Sequence, residues 1–221
     1  MEPLLAVGLP CHRAIVAVDI ECSTVRPDAV KAGLRNKIYE LFDAALRAAG
    51  IQEGYRDPFI DRGDGVLALI HPVDQAPKVV LLNQAIPAFS RFLTDYNASL
   101  SRPGETQRQL RVRVVVHAGE VHYDANGCFG EALDVAFRLL DARRFKKALR
   151  EAASPLILIV SDEIYRSVVR HGFAGIDQDA FRPLVRVEVA GNCYRGWVNI
   201  PEHAAEHQVT DMALYRRRTT A

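Results

Sequence analysis

The stretch Arg13-Ala14-Ile15-Val16-Ala17-Val18-Asp19-Ile20 decides the fold, because it is an almost unbroken apolar run with a carboxylate near its end. A short apolar run rich in β-branched residues predicts a strand in the centre of a sheet. A second apolar run, residues 66–70, follows the turn Asp61-Arg62-Gly63-Asp64-Gly65 and predicts the returning strand of a β-hairpin. If the two strands are neighbours, Asp19 and Asp64 lie at the same end of the sheet.

Predicted helices alternate with predicted strands along the rest of the chain. The helices are expected over residues 28–49, 74–100, 131–151 and 162–171, where apolar residues recur at helical spacing. The other strands are expected over residues 55–60, 110–116, 156–160, 183–189 and 193–200. Pro77 and Pro87 should break or kink the second helix, and Ser161 should cap the last one. The pattern favours an α+β fold in which helices flank a mixed, mainly antiparallel sheet.

Length and composition indicate a single globular domain. The 221 residues are 49% hydrophobic and 25% charged, with a formal net charge of +1, which excludes a disordered chain. The charge balance argues against binding of nucleic acid through a basic surface. No apolar run approaches about 18 residues and no positively charged leader is present, so we expect no membrane span, no signal peptide and a cytoplasmic location. The four cysteines form no Cys-x-x-C pair, which predicts free thiols.

Two further patterns are interpreted as ordinary structural features. Residues 203–207 match the H-x-x-E-H zinc-protease motif, but they lie within residues 201–221, which are predicted to be a polar tail. The basic residues between Arg143 and Arg150 are expected at the end of a helix, where cations interact favourably with the helix dipole. They are predicted to form a solvated face.

Two pairs of charged residues are candidates for chemistry. Asp19 and Asp64 offer hard oxygen ligands, which suit Mg²⁺ or Mn²⁺ completed by water and substrate phosphates. Asp134 and Arg138 stand four residues apart on a predicted helix, where an arginine can stabilise charge on a transferring phosphoryl group. The alternatives are an aspartate that ends a strand, an Asp-Gly hairpin turn and a surface ion pair worth only about 0.2–0.5 kcal/mol.

Four segments together carry a more specific signal than any of these residues alone. They are residues 14–20 (AIVAVDI), 62–68 (RGDGVLA), 114–121 (VVVHAGEV) and 130–139 (GEALDVAFRL). In this order they resemble the catalytic domain of class III adenylate/guanylate cyclases, over residues 12–200. The resemblance implies the nucleotidyl cyclase fold and two Mn²⁺ or Mg²⁺ ions per site, held by Asp19, Asp64 and the backbone carbonyl of Ile20. It also implies that Arg138 stabilises the transition state, in a head-to-tail homodimer where one chain supplies the metal ligands and the other the arginine.

The departures from the cyclase pattern concern the base of the nucleotide. Purine cyclases carry a lysine where this chain has Ile60, and an Asp, Thr or Ser where it has Gly127. An asparagine that orients the ribose is replaced by Asp134. The residues expected to handle metal and phosphate are thus present, while those that read a purine are absent.

The chain therefore also resembles the pyrimidine cyclases of Pycsar antiphage systems, which make cyclic UMP or cyclic CMP for a separate cyclic-nucleotide-binding effector. UTP is favoured over CTP, because Arg56 and Arg62 can donate hydrogen bonds to the two carbonyl oxygens of uracil. Tyr55 is expected to stack on the base or to hydrogen-bond to it. Two alternatives stay open: a catalytically inactive cyclase-fold module that binds nucleotide or dimerises, and a purine cyclase with altered contacts.

Overall fold

The computed structural model describes residues 8–100 and 105–200, and within them a single mixed sheet forms the centre of the molecule. Its strands are β1 (Cys11–Ile20), β2 (Ile60–Asp61), β3 (Gly65–Ile70), β4 (Val112–Asp124), β5 (Gly127–Phe129), β6 (Leu156–Ser161), β7 (Arg182–Val189) and β8 (Asn192–Asn199). They are ordered β2-β3-β1-β4-β6-β8-β7, with β5 paired to β4. β4 and β6 run parallel, whereas the other pairs are antiparallel. The predicted α+β architecture with a mainly antiparallel sheet is confirmed.

Helices cover both faces of the sheet, which explains why β3 and β6 are buried along their whole length and β1 is buried over residues 14–18. The helices are α1 (Asp28–Ala48), α2 (Lys78–Val80), α3 (Ile86–Ser99), α4 (Glu131–Leu140), α5 (Arg143–Glu151) and α6 (Asp162–Ser167). Side chains of β1 alternate between the two faces, as the pleat of a strand requires. Val16 packs in one core cluster with Phe42 of α1 and Phe89 of α3, whereas Ile15 packs in the other with Phe145 of α5.

The helix predicted over residues 74–100 begins later and is irregular in its middle. Pro77 has an extended backbone, and the helical stretch begins after it at Lys78. A π-helical segment over Leu81–Ala85 then leads into α3, in which Pro87 occupies the first turn. The backbone stays helical across this junction, with αR angles at Val80, Ala85 and Ile86. Pro87 has no amide proton to donate, and the wider π turn just before it accommodates the missing hydrogen bond, so the helix is distorted locally and not interrupted.

The prediction of one helix over residues 131–151 is wrong, because the structure divides this segment into α4 and α5. Ala142, between them, has an extended-type ψ of 132°. In one continuous helix Phe145 would lie about 180° around the axis from Ala136, given about 100° per residue. Both side chains are fully buried in the same core cluster. The break allows α5 to turn Phe145 toward the core.

Two other predicted elements are shorter than expected. Of the strand predicted over residues 55–60, only Ile60 belongs to β2, and a 3₁₀ turn occupies Glu53–Tyr55. The helix predicted over residues 162–171 ends at Ser167 and is followed by a 3₁₀ turn over Val169–His171. The predicted cap is confirmed, since the Ser161 side chain accepts a hydrogen bond from the amide of Ile164.

The predictions for the C-terminal tail and for residues 203–207 lie outside the described residues. Among residues 8–100 and 105–200, no helix is long and apolar enough to cross a bilayer.

Candidate active site

Asp19 and Asp64 are brought together by the pairing of β1 with β3. The register places Asp19 opposite Gly65, and the amide of Ile20 donates to the carbonyl of Asp64 at 3.1 Å. All four residues line one cavity of about 360 Å³ at this end of the sheet. The condition set by the sequence, that the two strands be neighbours, is therefore met.

Gly65 is required at this point because β1 and β3 approach closely. A Cβ atom at this position would lie 2.2 Å from the carbonyl oxygen of Val18. That is far inside van der Waals contact, so another residue would push the strands apart. The glycine thus keeps the two carboxylates at the same level of the sheet.

The carboxylate of Asp19 lies in an unfavourable environment for a negative charge. Burial raises the pKa of Asp19 above its ordinary value, and the nearby Asp64 acts in the same direction. Arg113, opposite Asp19 on β4, opposes this shift through an ion pair with the carboxylate. The Nε atom of Arg113 is buried and has no hydrogen-bond partner in the described part of the chain. An additional cation would relieve the repulsion between the two aspartates.

The chemistry of these donors fits a divalent metal of the Mg²⁺ or Mn²⁺ type. Two carboxylates and the carbonyl oxygen of Ile20 are hard ligands, and such ions commonly keep waters and bind substrate phosphates. Within residues 8–100 and 105–200, no group of three or more His, Cys, Asp or Glu side chains is placed to hold a metal. The two carboxylates and the Ile20 carbonyl are therefore typical of a site in which substrate phosphates complete the coordination of the metal, and not of one in which the protein supplies every ligand.

Arg138 and Asp134 belong to a second, larger cavity of about 800 Å³, lined by α4 and the ends of β5 and β7. Both residues lie on the exposed side of α4. Neither forms an ion pair with any residue that the structure describes. The surface ion pair considered as an alternative is therefore not formed, and both charges are free to meet a ligand or a second chain.

Arg62 and Phe137 form a wall between the two cavities. The guanidinium carbon of Arg62 lies 4.1 Å from the centroid of the Phe137 ring, a cation–π contact that holds the hairpin turn against α4. Both side chains line both cavities, as does Asp141. Of the residues predicted to read the base, Arg62 is thus one that lies beside both the Asp19 cavity and the Arg138 cavity.

The other predicted base-reading residues lie elsewhere. Arg56 is buried, forms an ion pair with Asp43 at 2.8 Å and lies 3.8 Å from the centroid of Phe59. Tyr55 and Ile60 pack against the core clusters, and none of these three residues lines either cavity. The exposed Gly127 precedes the residues of β5 that line the larger cavity.

Sequence reasoning missed three residues of the site: Arg113, Phe137 and Asp141. Alternation along β4 predicts Arg113 on a polar face, but only the register with β1 places it beside Asp19. The apolar stripe of α4 predicts that Phe137 is buried, whereas it is half-buried against Arg62. Asp141 occupies the break between α4 and α5, which the sequence does not reveal.

No protein-family model matches the sequence, and no curated protein sequence matches it. Solved structures do match the fold. An adenylate/guanylate cyclase/hydrolase from Silicibacter pomeroyi aligns with 88% of this chain and 99% of its own, at 19% identity and a TM-score of 0.57. The guanylyl cyclase Cya2 aligns with 90% of this chain and 97% of its own, at 13% identity and a TM-score of 0.57. The adenylyl cyclase CyaB from P. aeruginosa aligns with 90% of this chain and 98% of its own, at 16% identity and a TM-score of 0.51.

The chain therefore has the fold of the class III adenylate and guanylate cyclases, as its sequence motifs indicated. At these identities the likeness concerns the fold, and the activity has to be argued from the site.

Proposed function

We propose that this chain is a nucleotidyl cyclase, which converts a nucleoside triphosphate into a 3′,5′-cyclic nucleotide and pyrophosphate. The observation that carries the proposal is that Asp19 and Asp64 line one cavity of a cyclase fold. These side chains and the carbonyl of Ile20 would hold two divalent cations. When bound, such cations neutralise the triphosphate and lower the pKa of the ribose 3′-hydroxyl.

The residues of the chain position the substrate and stabilise charge. The 3′-oxygen attacks the α-phosphorus in line, its proton passes to solvent, and the bond to the pyrophosphate breaks. Arg138 would face the charge that grows on the α-phosphoryl oxygens, where a preorganised cation contributes several kcal/mol. Arg62, in cation–π contact with Phe137, would orient the substrate at the wall between the cavities. Replacing Asp19 or Asp64 by Ala should abolish turnover and leave the chain folded.

A composite site between two copies of the chain is the second part of the proposal. In one chain Arg138 lines the larger cavity, while the two aspartates line the smaller one. A head-to-tail homodimer would set Arg138 of one copy against the carboxylates of the other, and two-fold symmetry would build the site twice.

Complementation between inactive variants tests the shared site. Asp64→Ala and Arg138→Ala chains should each be inactive alone. After random mixing, half of the dimers are mixed and each has one intact site, so about a quarter of wild-type activity should return. A chain carrying both substitutions, mixed with either single variant, is the matched control and should stay inactive. Mixed dimers confirmed by mass but lacking activity would place the site within one chain.

The substrate is proposed to be a pyrimidine triphosphate, with UTP preferred over CTP. Ile60 and Gly127 offer no side-chain donor or acceptor to a purine. Each polar base edge left unpaired in a buried pocket costs about 1–3 kcal/mol, so two such losses disfavour ATP or GTP by roughly thirtyfold to twenty-thousandfold. Arg62 can donate to a carbonyl oxygen of uracil.

Competition of all four triphosphates in one tube with Mn²⁺, read by mass spectrometry, tests the base choice. We expect cyclic UMP to dominate, and the Asp64→Ala chain provides the background. A product pool dominated by cyclic AMP or cyclic GMP would contradict the pyrimidine assignment. No product from any triphosphate would favour a cyclase-fold module that binds nucleotide or dimerises.

We further propose that the cyclic nucleotide is a cytoplasmic signal in antiphage defence, read by a separate effector. The support is the sequence resemblance to pyrimidine cyclases together with the absent purine-reading residues. Cells that express the chain together with an effector that binds its cyclic nucleotide should resist phage, whereas cells with the Asp64→Ala chain and the same effector should not. Equal resistance in both would separate the defence role from catalysis.

A further inference from the structure

A groove between the beginning of α5 and strand β7 is lined by residues that have no role in the proposed cyclase activity. Its cavity measures about 420 Å³ and is lined by Arg143, Arg144 and Arg186, with Pro183, Leu184 and Val187 among its apolar residues. Every charged side chain that lines it is an arginine. The groove is distinct from the two cavities of the candidate active site.

The arginines of this groove lack the carboxylate partners that the two lysines of α5 have. On the same helix, Lys146 pairs with Asp141 at 2.8 Å and Lys147 with Glu151 at 3.5 Å. Arg143, Arg144 and Arg186 form no ion pair with any described residue. The three arginines are exposed to solvent, and their like charges around one cavity give it a positive potential that attracts an anion.

The break between α4 and α5 changes the expected role of the basic run. The sequence predicts these cations at the end of a helix, but Arg143 and Arg144 are the first two residues of α5. The first turn contains no acidic residue, and Ala142 provides no side-chain cap. The positive end of the helix dipole and the arginines therefore point to the same conclusion, a place suited to an anion.

The size and the walls of the groove limit what kind of anion fits. A cavity of about 420 Å³ is within the range of small-molecule sites. Asp177 and Asp179 line the next cavity, which shares Leu184 with this groove, and Glu188 lines the larger active-site cavity. These carboxylates would repel a long polyanion on both sides. The apolar residues Pro183 and Leu184 can cover a ring.

We infer that the groove between α5 and β7 binds a nucleotide, whose phosphates pair with Arg143, Arg144 and Arg186 and whose base lies against Leu184. Guanidinium groups suit phosphate oxygens because they form paired, charge-assisted hydrogen bonds. Nothing in the groove resembles a metal ligand set, so binding here needs no divalent cation. This inference is independent of the proposed cyclase activity.

The test measures UTP and inorganic tripolyphosphate binding by calorimetry in EDTA, with hydrogen–deuterium exchange to locate the ligand. UTP should protect residues 143–149 and 182–187. The variant Arg143→Ser/Arg186→Ser should bind both probes about a hundredfold more weakly, roughly tenfold for each arginine that no longer donates to a phosphate. Leu184→Ser should weaken UTP alone. Arg150→Ser is the matched control, because Arg150 is an exposed arginine of the same helix that does not line the groove.

Four results would each overturn the inference. They are the absence of UTP binding in EDTA, protection confined to the active-site cavities, equal weakening by Arg150→Ser, and tripolyphosphate binding as tight as UTP with no effect of Leu184→Ser. The last would mean that the groove recognises phosphate without a base. Thermal unfolding of each variant shows whether the exposed substitutions leave the fold intact.

Discussion

Gly65→Ala is the substitution that tests most directly how the sheet builds the site. The added Cβ would meet three backbone atoms of β1: the carbonyl oxygen of Val18 at 2.2 Å, its carbonyl carbon at 3.2 Å and the Cα of Asp19 at 3.3 Å. Backbone cannot move aside as a side-chain end can. To restore ordinary contact, β3 must retreat by about 1 Å from β1 at this position.

The consequences for stability and for turnover can both be estimated. Overpacking of this kind costs about 1–3 kcal/mol. In a chain of this size each kcal/mol lowers Tm by about 2–4 °C, so we expect a fall of roughly 2–12 °C. The same movement shifts the Asp64 carboxylate away from the Asp19 carboxylate. A misplacement of about 1 Å in catalytic groups lowers kcat/KM by about a hundredfold.

The assay combines thermal unfolding with Mn²⁺-dependent cyclisation, and two other glycines provide controls. Gly33→Ala in α1 has open space around the new methyl group, and it should raise stability slightly through helix propensity. Gly50→Ala at the end of α1, where φ is +79° and the new methyl group has open space, should destabilise the chain through backbone strain without moving the aspartates. A Gly65→Ala chain with wild-type Tm and turnover would refute the reasoning, as would an equal loss of turnover in Gly50→Ala.

Three further predictions concern single side chains. Burial lowers the pKa of His117 to about 4. The unfolded chain therefore takes up a proton between pH 6.5 and 4 that the folded chain does not, and stability falls by on the order of 3 kcal/mol as pH decreases through this range. Urea unfolding should show that His117→Gln removes this slope, and an unchanged slope would contradict the assignment. Arg56→Met should reduce the free energy of unfolding by about 1–3 kcal/mol, since it leaves Asp43 without this partner. It should keep KM within about twofold, and a large rise in KM would restore Arg56 as a base-reading residue. Arg62→Lys should lower kcat/KM by about tenfold, because lysine cannot lie flat on Phe137 while it donates to a ligand; unchanged kinetics would argue against a substrate contact.

The parts of the fold that can be predicted from the sequence are those with a strong local pattern. The apolar run that ends in Asp19 and the hairpin that contains Asp64 can be assigned because a buried strand needs little more than β-branched apolar residues. The end of α1 is marked by Gly50, whose φ of +79° suits a helix end. Local patterns are sufficient here because no distant residue has to be known.

The parts that the sequence does not predict depend on contacts between distant residues. Arg56 is expected to face a ligand, but α1 places Asp43 beside it, 13 residues away in the chain. No glycine or proline marks the break at Ala142. The local sign of the break is that Phe145 falls out of phase with the apolar stripe of α4, which is a weak signal for a single residue. Arg113 becomes a partner of Asp19 only through the register of β4 with β1.

The balance of charge in the smaller cavity leads to a test that separates the two ligand sites. Three acidic residues and three basic residues line this cavity: Asp19, Asp64, Asp141, Arg62, Arg113 and Lys146. Four of these charges are already paired, Asp19 with Arg113 and Asp141 with Lys146. A triphosphate, with about four negative charges, therefore meets no net positive charge there and needs added cations to bind. The groove between α5 and β7 is lined by three arginines without an ion pair among the described residues, so it carries positive charge without added cations. UTP binding at the aspartates should accordingly disappear in EDTA, whereas binding between α5 and β7 should persist.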